Sequence, residues 1–144
     1  GDQHPNTASS LNNMGHLLQS MGELSAAKPY YEQALQIWRD VLGDQHPNTA
    51  SSLNNMGHLL QAMGELSAAK PYYEQALQIY RDVLGDQHPD TAISLNNMGG
   101  LLQAMGELSA AKPYYEQALA IFERALGPDH PNTNIVRRNL ESLN

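Results

Sequence analysis

The stretch TASSLNNMGHLLQSMGELSAAKPYYEQALQI, Thr7 to Ile37, decides the fold. Its first half places Leu11, Met14, Leu17, Leu18 and Met21 at helical spacing, and Gly22 is a C′-type stop. Its second half places Ala27, Tyr31, Ala34 and Leu35 on one helical face, and the pattern continues through Trp38, Val41 and Leu42. The two-residue link Gly22-Glu23 is short enough to force an antiparallel pair of helices. Pro5 suits the first turn of the first helix, where its missing N–H costs nothing. Pro29 lies one turn inside the second helix, so a slight bend or a frayed first turn is expected there. No strand pattern occurs.

Read outward from this hairpin, the chain repeats it. GDQHP stands at Gly1, Gly43 and Gly85, and GPDHP at Gly127, a period of 42 residues. Residues 1–42 and 43–84 differ only at Ser20/Ala62 and Trp38/Tyr80, and residues 85–126 depart from the second copy at eight positions. Residues 127–144 make a half repeat. A fixed period of this length predicts a solenoid in which each unit stacks on its neighbours. The near-identity of the copies fits either recent duplication or consensus design. With no initiator Met the chain reads as a processed or excised fragment, and with no polar cap before its first helix it reads as the C-terminal part of a longer array or a trimmed piece of one.

Composition narrows the function. Charged residues make up 16 % of the 144 residues, below the ~25 % common in soluble domains. The net charge of −7 and the lack of a basic stripe argue against nucleic acid as a partner. No apolar run approaches the ~18 residues that cross a bilayer, so no membrane partner is expected. No signal peptide is visible, and the cytoplasm is the default location. There are no cysteines, hence no disulfides and no thiolate metal site. No serine stands in a nucleophile elbow, and no glycine-rich phosphate loop follows a strand. No catalytic residue, metal or cofactor is expected.

Histidine is the residue type that most invites a metal. His4, His46, His88 and His130 recur once per repeat beside Asp2, Asp44, Asp86 and Asp129. Successive helix layers lie about 10 Å apart, so these loops do not converge on one ion. Each histidine reads instead as a helix-entry residue holding its own Asp-Pro turn. His16 and His58 occupy equivalent first-helix positions and read as neutral polar contacts; Gly100 removes that side chain in the third copy. The second residue of each pair Tyr30-Tyr31, Tyr72-Tyr73 and Tyr114-Tyr115 reads as core, and Trp38, Tyr80 and Phe122 share one aromatic packing position. Lys28, Glu32, Arg39 and Asp40 read as a solvated outer face with i, i+4 pairing. In the last half repeat Arg137 and Glu141 replace Leu11 and Gly15, so this helix reads as a polar cap.

These residues resemble the tetratricopeptide repeat. Met14-Gly15 stands where that family has Leu-Gly, Leu18 at its usual aromatic, Gly22 at its turn glycine, and Ala27, Tyr31 and Ala34 at its small-aromatic-small series. Leu11 stands where Trp is frequent. The period exceeds the usual length of about 34 residues by roughly one turn per helix. This longer form, with its LGxxHPxT connector, resembles the repeats of kinesin light chain and of many bacterial arrays, in some of which the repeats are the sensing part of a larger chain.

The resemblance implies an all-α, right-handed α-solenoid of seven helices and a non-catalytic protein-interaction scaffold. It implies that first helices line a concave groove, which maps to Ser9, Asn12, Asn13, His16 and Gln19; to Ser51, Asn54, Asn55, His58 and Gln61; and to Ile93, Asn96, Asn97, Gly100 and Gln103. It further implies that the asparagines, above all Asn13, Asn55 and Asn97, grip the backbone of an extended peptide, since a carboxamide both donates and accepts. Specificity is expected near Ile93 and Gly100 and from Arg138, the one basic residue at a groove position. The complete first helices hold no Lys or Arg, which argues against a basic clamp for a C-terminal carboxylate. The rival reading is a structural spacer or a module that associates end to end with copies of itself.

Overall fold

A computed structural model describes residues 4–144. Asp2, expected beside His4, lies outside the described residues. Seven α-helices and no strand occur among the described residues. They are α1 (Pro5–Ser20), α2 (Leu24–Leu42), α3 (Pro47–Ala62), α4 (Leu66–Leu84), α5 (Pro89–Ala104), α6 (Leu108–Leu126) and α7 (Pro131–Glu141). The chain divides into two compact units, Gly1–Ile79 and Tyr80–Asn144. In the first, α1 packs on α2 and α2 on α3; in the second, α5 packs on α6 and α6 on α7.

The helix starts follow from one device. Pro5, Pro47, Pro89 and Pro131 open α1, α3, α5 and α7, and the histidine before each is the N-cap. Its imidazole Nδ1 accepts the backbone N–H two residues on, at 3.0 Å for Asn6, Asn48 and Asp90 and 3.1 Å for Asn132. The expected helix-entry role holds, but the imidazole bonds forward into the helix rather than holding the preceding Asp. Asp44 and Asp86 turn to Arg39 and Arg81, at 3.5 and 3.8 Å. Each connector is closed by a fully buried threonine: Thr49, Thr91 and Thr133 donate to the carbonyls of Gly43, Gly85 and Gly127 at 2.7–2.8 Å.

Hairpin turns need the left-handed region, and Gly22 supplies it at φ +81°. The first turn of α2 is formed, not frayed: Ala27 N–H reaches Glu23 O at 3.1 Å, and the helix continues through Pro29. Inside the first hairpin, Ala8, Ala34, Ile37 and Trp38 form a core flanked by Leu11 and Leu42. Tyr31 and Tyr73 are completely buried and Tyr115 is 1 % exposed, as the pattern predicts. Trp38, Tyr80 and Phe122 are buried as well. On the outer face Gln36 pairs with Asp40 at i, i+4, but Arg39 reaches forward to Gln75 of the next hairpin at 3.1 Å.

At the chain's end α7 buries Val136 and Thr133, while Arg137 bonds Asn134 Oδ1, the Pro128 carbonyl and Glu123. A polar residue at the Leu11-equivalent position thus ties α7 to α6 and its connector.

Candidate binding face

The first helices of each unit present the candidate residues. In the first unit Asn13 and His16 are exposed and Asn55 is half-buried. Ser9, Ser51 and His58 are exposed too, and Gln19 and Gln61 are half-buried. The neighbouring asparagine column lies deeper: Asn12 is half-buried and Asn54 only 8 % exposed. Asn54 is therefore not free to hold a segment as expected of it, because helix rotation places that column a full 100° from the next residue, toward the packed side. The side-chain carbonyl oxygens of Asn12 and Asn54 are nevertheless buried with no hydrogen-bond partner.

Beneath these residues lies a network that the sequence reading missed. Tyr31 Oη donates to Gln19 Oε1 at 2.9 Å and lies 2.8 Å from His16 Nδ1. Tyr73 repeats this with Gln61 at 3.0 Å and His58 Nδ1 at 2.8 Å. Each imidazole stands edge-on to its phenol, ring centroids 5.3 Å apart. A phenol has one proton. With that proton on glutamine, His Nδ1 carries its own and donates back, and Nε2 is the nitrogen left outside the network. Burial pushes the Tyr31 and Tyr115 hydroxyls up, and the Tyr73 hydroxyl up strongly. Although His58 keeps an exposed edge, desolvation of the ring where it packs on Tyr73, and then the neighbouring His16, hold the imidazole below its ordinary value. The signal for this network was the hydroxyl itself: packing alone asks only for Phe, yet all three copies keep Tyr at this position.

The second unit differs. Gly100 leaves Tyr115 Oη with Gln103 alone, at 2.7 Å, and Gln103 Nε2 goes on to Ser142 Oγ at 3.0 Å. Asn96 Oδ1 is satisfied by Asn139 Nδ2 at 3.0 Å, and Asn97 is half-buried. A hollow of about 240 Å³ is lined by Ile93, Asn96, Phe122, Asn132, Ile135 and Val136. Ile93 and Ile135 remain 43 % and 48 % exposed at its mouth. Ile135 stands at the half repeat's counterpart of Ser9, Ser51 and Ile93; that alignment was the available signal for it. Arg138 is exposed on α7.

Larger hollows of about 390 and 410 Å³ sit at the connectors, around Arg39 and Asp44 in one unit and Arg81 and Asp86 in the other. Their ion pairs are solvent-exposed and worth little. Among the described residues no three His, Asp or Glu side chains gather to hold a metal. No helix among them is long and apolar enough to cross a membrane.

The sequence profile of the tetratricopeptide repeat matches residues 6–82, 48–124 and 90–143. No curated protein sequence matches significantly. Among solved structures, BtubC (BKLC) from P. vanneervenii superposes with a TM-score of 0.88 at 24 % identity, over 97 % of this chain and 56 % of its own. A Podosopora anserina protein described as a candidate kinesin light chain with nearly identical TPR-like repeats gives 0.88 at 26 %, over 97 % and 66 %. The N-terminal domain of stress-induced protein-1 from C. elegans gives 0.69 at 15 %, over 96 % and 95 %. The chain spans 56 % and 66 % of the first two structures' lengths.

Proposed function

The chain belongs to the tetratricopeptide repeat family, and from that premise we propose that it is a non-catalytic scaffold whose first helices hold an extended peptide segment of a partner protein. The fold is the all-α helical-hairpin class of its structural relatives, a class suited to protein–protein interaction. The observation that carries the finer reading is the asparagine face. Asn13, Asn55 and Asn97 keep surface open. A peptide backbone supplies N–H and C=O groups at regular intervals, whatever its side chains. The hollow between Ile93 and Ile135 would take an apolar side chain of that segment, with Asn96 and Asn132 at its rim. His16, Gln19, His58, Gln61, Gln103, Gly100 and Arg138 complete the proposed face.

The test is capture of a random library of extended peptides by the wild type and by a variant with Asn13, Asn55 and Asn97 all changed to Ala. Retention by the wild type and loss by the variant supports the reading. Equal retention removes the asparagines from it.

A second reading has its own observation. Met14 and Leu17 on α1 and its C-cap Met21 are 41 %, 55 % and 63 % exposed. The counterparts of Met14 and Leu17, which are Met56, Leu59, Met98 and Leu101, are at most 1 % exposed, and those of Met21, Met63 and Met105, are half-buried. This apolar face suits end-to-end association with another copy. Light scattering over a wide concentration range checks it: Leu17→Glu should abolish any association that the wild type shows.

A further inference from the structure

The first unit contains a hollow of about 320 Å³ lined by His16, Gln19, Ser20, Tyr31, Asn55 and His58. The hydrogen-bond roles around it are largely fixed. Gln19 spends its carbonyl oxygen on Tyr31, so its amide faces outward with N–H groups. Each imidazole is aimed by its own tyrosine through Nδ1, which leaves Nε2 for a ligand. Ser20 and Asn55 add a hydroxyl and a second amide. The wall is therefore rich in donors and in groups that become donors on protonation.

What the wall lacks is a counter-charge. Helices α1 and α3 contain no Asp, Glu, Lys or Arg. From α2 and α4, the side chains bonded to the two rings are Tyr31 and Tyr73. The influences acting on His58 are burial and the charge of His16; no carboxylate or ammonium contributes. With His16 beside it and no counter-ion in the concavity, His58 resists protonation until an anion enters. A metal ion fits less well, since only two histidine nitrogens are on offer and no third His, Asp or Glu joins them among the described residues.

We propose that this hollow is a carboxylate subsite, in which an Asp or Glu side chain of the bound segment sits between His16 and His58 and is taken up together with a proton. The proposal rests on the peptide-binding reading above and adds the chemistry of one partner side chain. It also separates the copies: Gly100 stands at the equivalent position in the third, so that copy has no such pair. The sign of the pH dependence follows. Free His58 holds less proton than ordinary histidine near neutrality, and a carboxylate between the rings raises its proton affinity. Binding takes up a proton, so affinity rises as pH falls through the histidine range.

The experiment uses the full chain and two capped extended pentapeptides identical except for a central Glu or Gln. Binding is measured by calorimetry at about pH 7.5 and about pH 5.5, where histidine but not Glu changes charge. The Glu peptide should bind about tenfold tighter at the lower pH, the equivalent of one unit of proton affinity, while the Gln peptide stays constant. His16→Gln with His58→Gln should remove that difference. Glutamine keeps a partner for each tyrosine, and His16→Gly, patterned on Gly100, serves as a second variant; far-ultraviolet circular dichroism checks that both fold. Equal, pH-independent binding of the two peptides overturns the subsite and leaves the scaffold reading standing. So does a Glu preference that survives in the double variant. Binding of neither peptide at either pH overturns both.

Discussion

Gly57 and Tyr73 meet so closely that a Cβ on the glycine would lie 2.7 Å from the tyrosine ring. Gly15 with Tyr31 and Gly99 with Tyr115 repeat the contact at 2.6 Å. The glycine lets a buried ring lie flat against the backbone of the first helix, and this places the phenol oxygen within reach of His58 and Gln61.

Gly57→Ala should therefore destabilise. Alanine gains about 1 kcal/mol of helix propensity, but overpacking costs about 1–3 kcal/mol, and a fully buried ring has little room to move. Gly100→Ala is the control. Its Cβ would meet only Tyr115 Oη, at 3.8 Å, so propensity should win and stability rise by up to about 1 kcal/mol. Thermal melts of the two variants, moving in opposite directions, check this.

Tyr73→Phe removes a hydroxyl that serves both His58 and Gln61. The loss should be about 1–2 kcal/mol, since two part-buried hydrogen bonds are lost together. Tyr115→Phe breaks only the bond to Gln103 and should cost less. Urea titration of both variants gives the ordering.

Alkaline pH should unfold the protein through the same residues. Burial raises the tyrosine hydroxyls in the folded state, so the unfolded chain releases its protons first. Stability is complete below the ordinary tyrosine value of about 10 and falls as pH rises beyond it, by about 1.4 kcal/mol per pH unit for each tyrosine still protonated when folded. Melting temperature followed upward from pH 8 should show the fall, and Tyr73→Phe should soften it.

His58 acts at the acid side. Its folded value is depressed, so its contribution is complete above the ordinary histidine value of about 6.5 and is lost as pH falls from there to the folded value. His58→Gln should flatten the melting temperature over that window while leaving neutral stability close to the wild type.

His46→Ala should cost about 1 kcal/mol, because it leaves the Asn48 N–H at the start of α3 without its cap. His46→Asn, which also offers an acceptor, should recover most of the loss. Chemical denaturation of both variants separates capping from any other role of the ring.

Much of the fold was legible in the chain itself. The period of 42, the hairpin pattern, the proline and glycine punctuation and the buried tyrosine column are local or periodic properties. A sequence displays these directly, because helical spacing alone decides which side chains share a face. The apolar residue at 93, where two copies have serine, was legible too, but not the hollow beside it.

Tertiary structure decided what spacing does not encode: how far each face is rotated toward its neighbour, and which polar atoms meet across helices. Asn12 and Asn13 are adjacent and chemically identical, yet one has a buried, orphaned carbonyl oxygen and the other is exposed. His16 and Tyr31, read separately as a surface residue and a core residue, become one hydrogen-bonded pair, because the glycine at 15 lets the ring pass beneath the helix and emerge beside the imidazole. Periodicity names the face on which a residue lies; only the packing of one helix against another sets the depth at which it sits and the partner it finds.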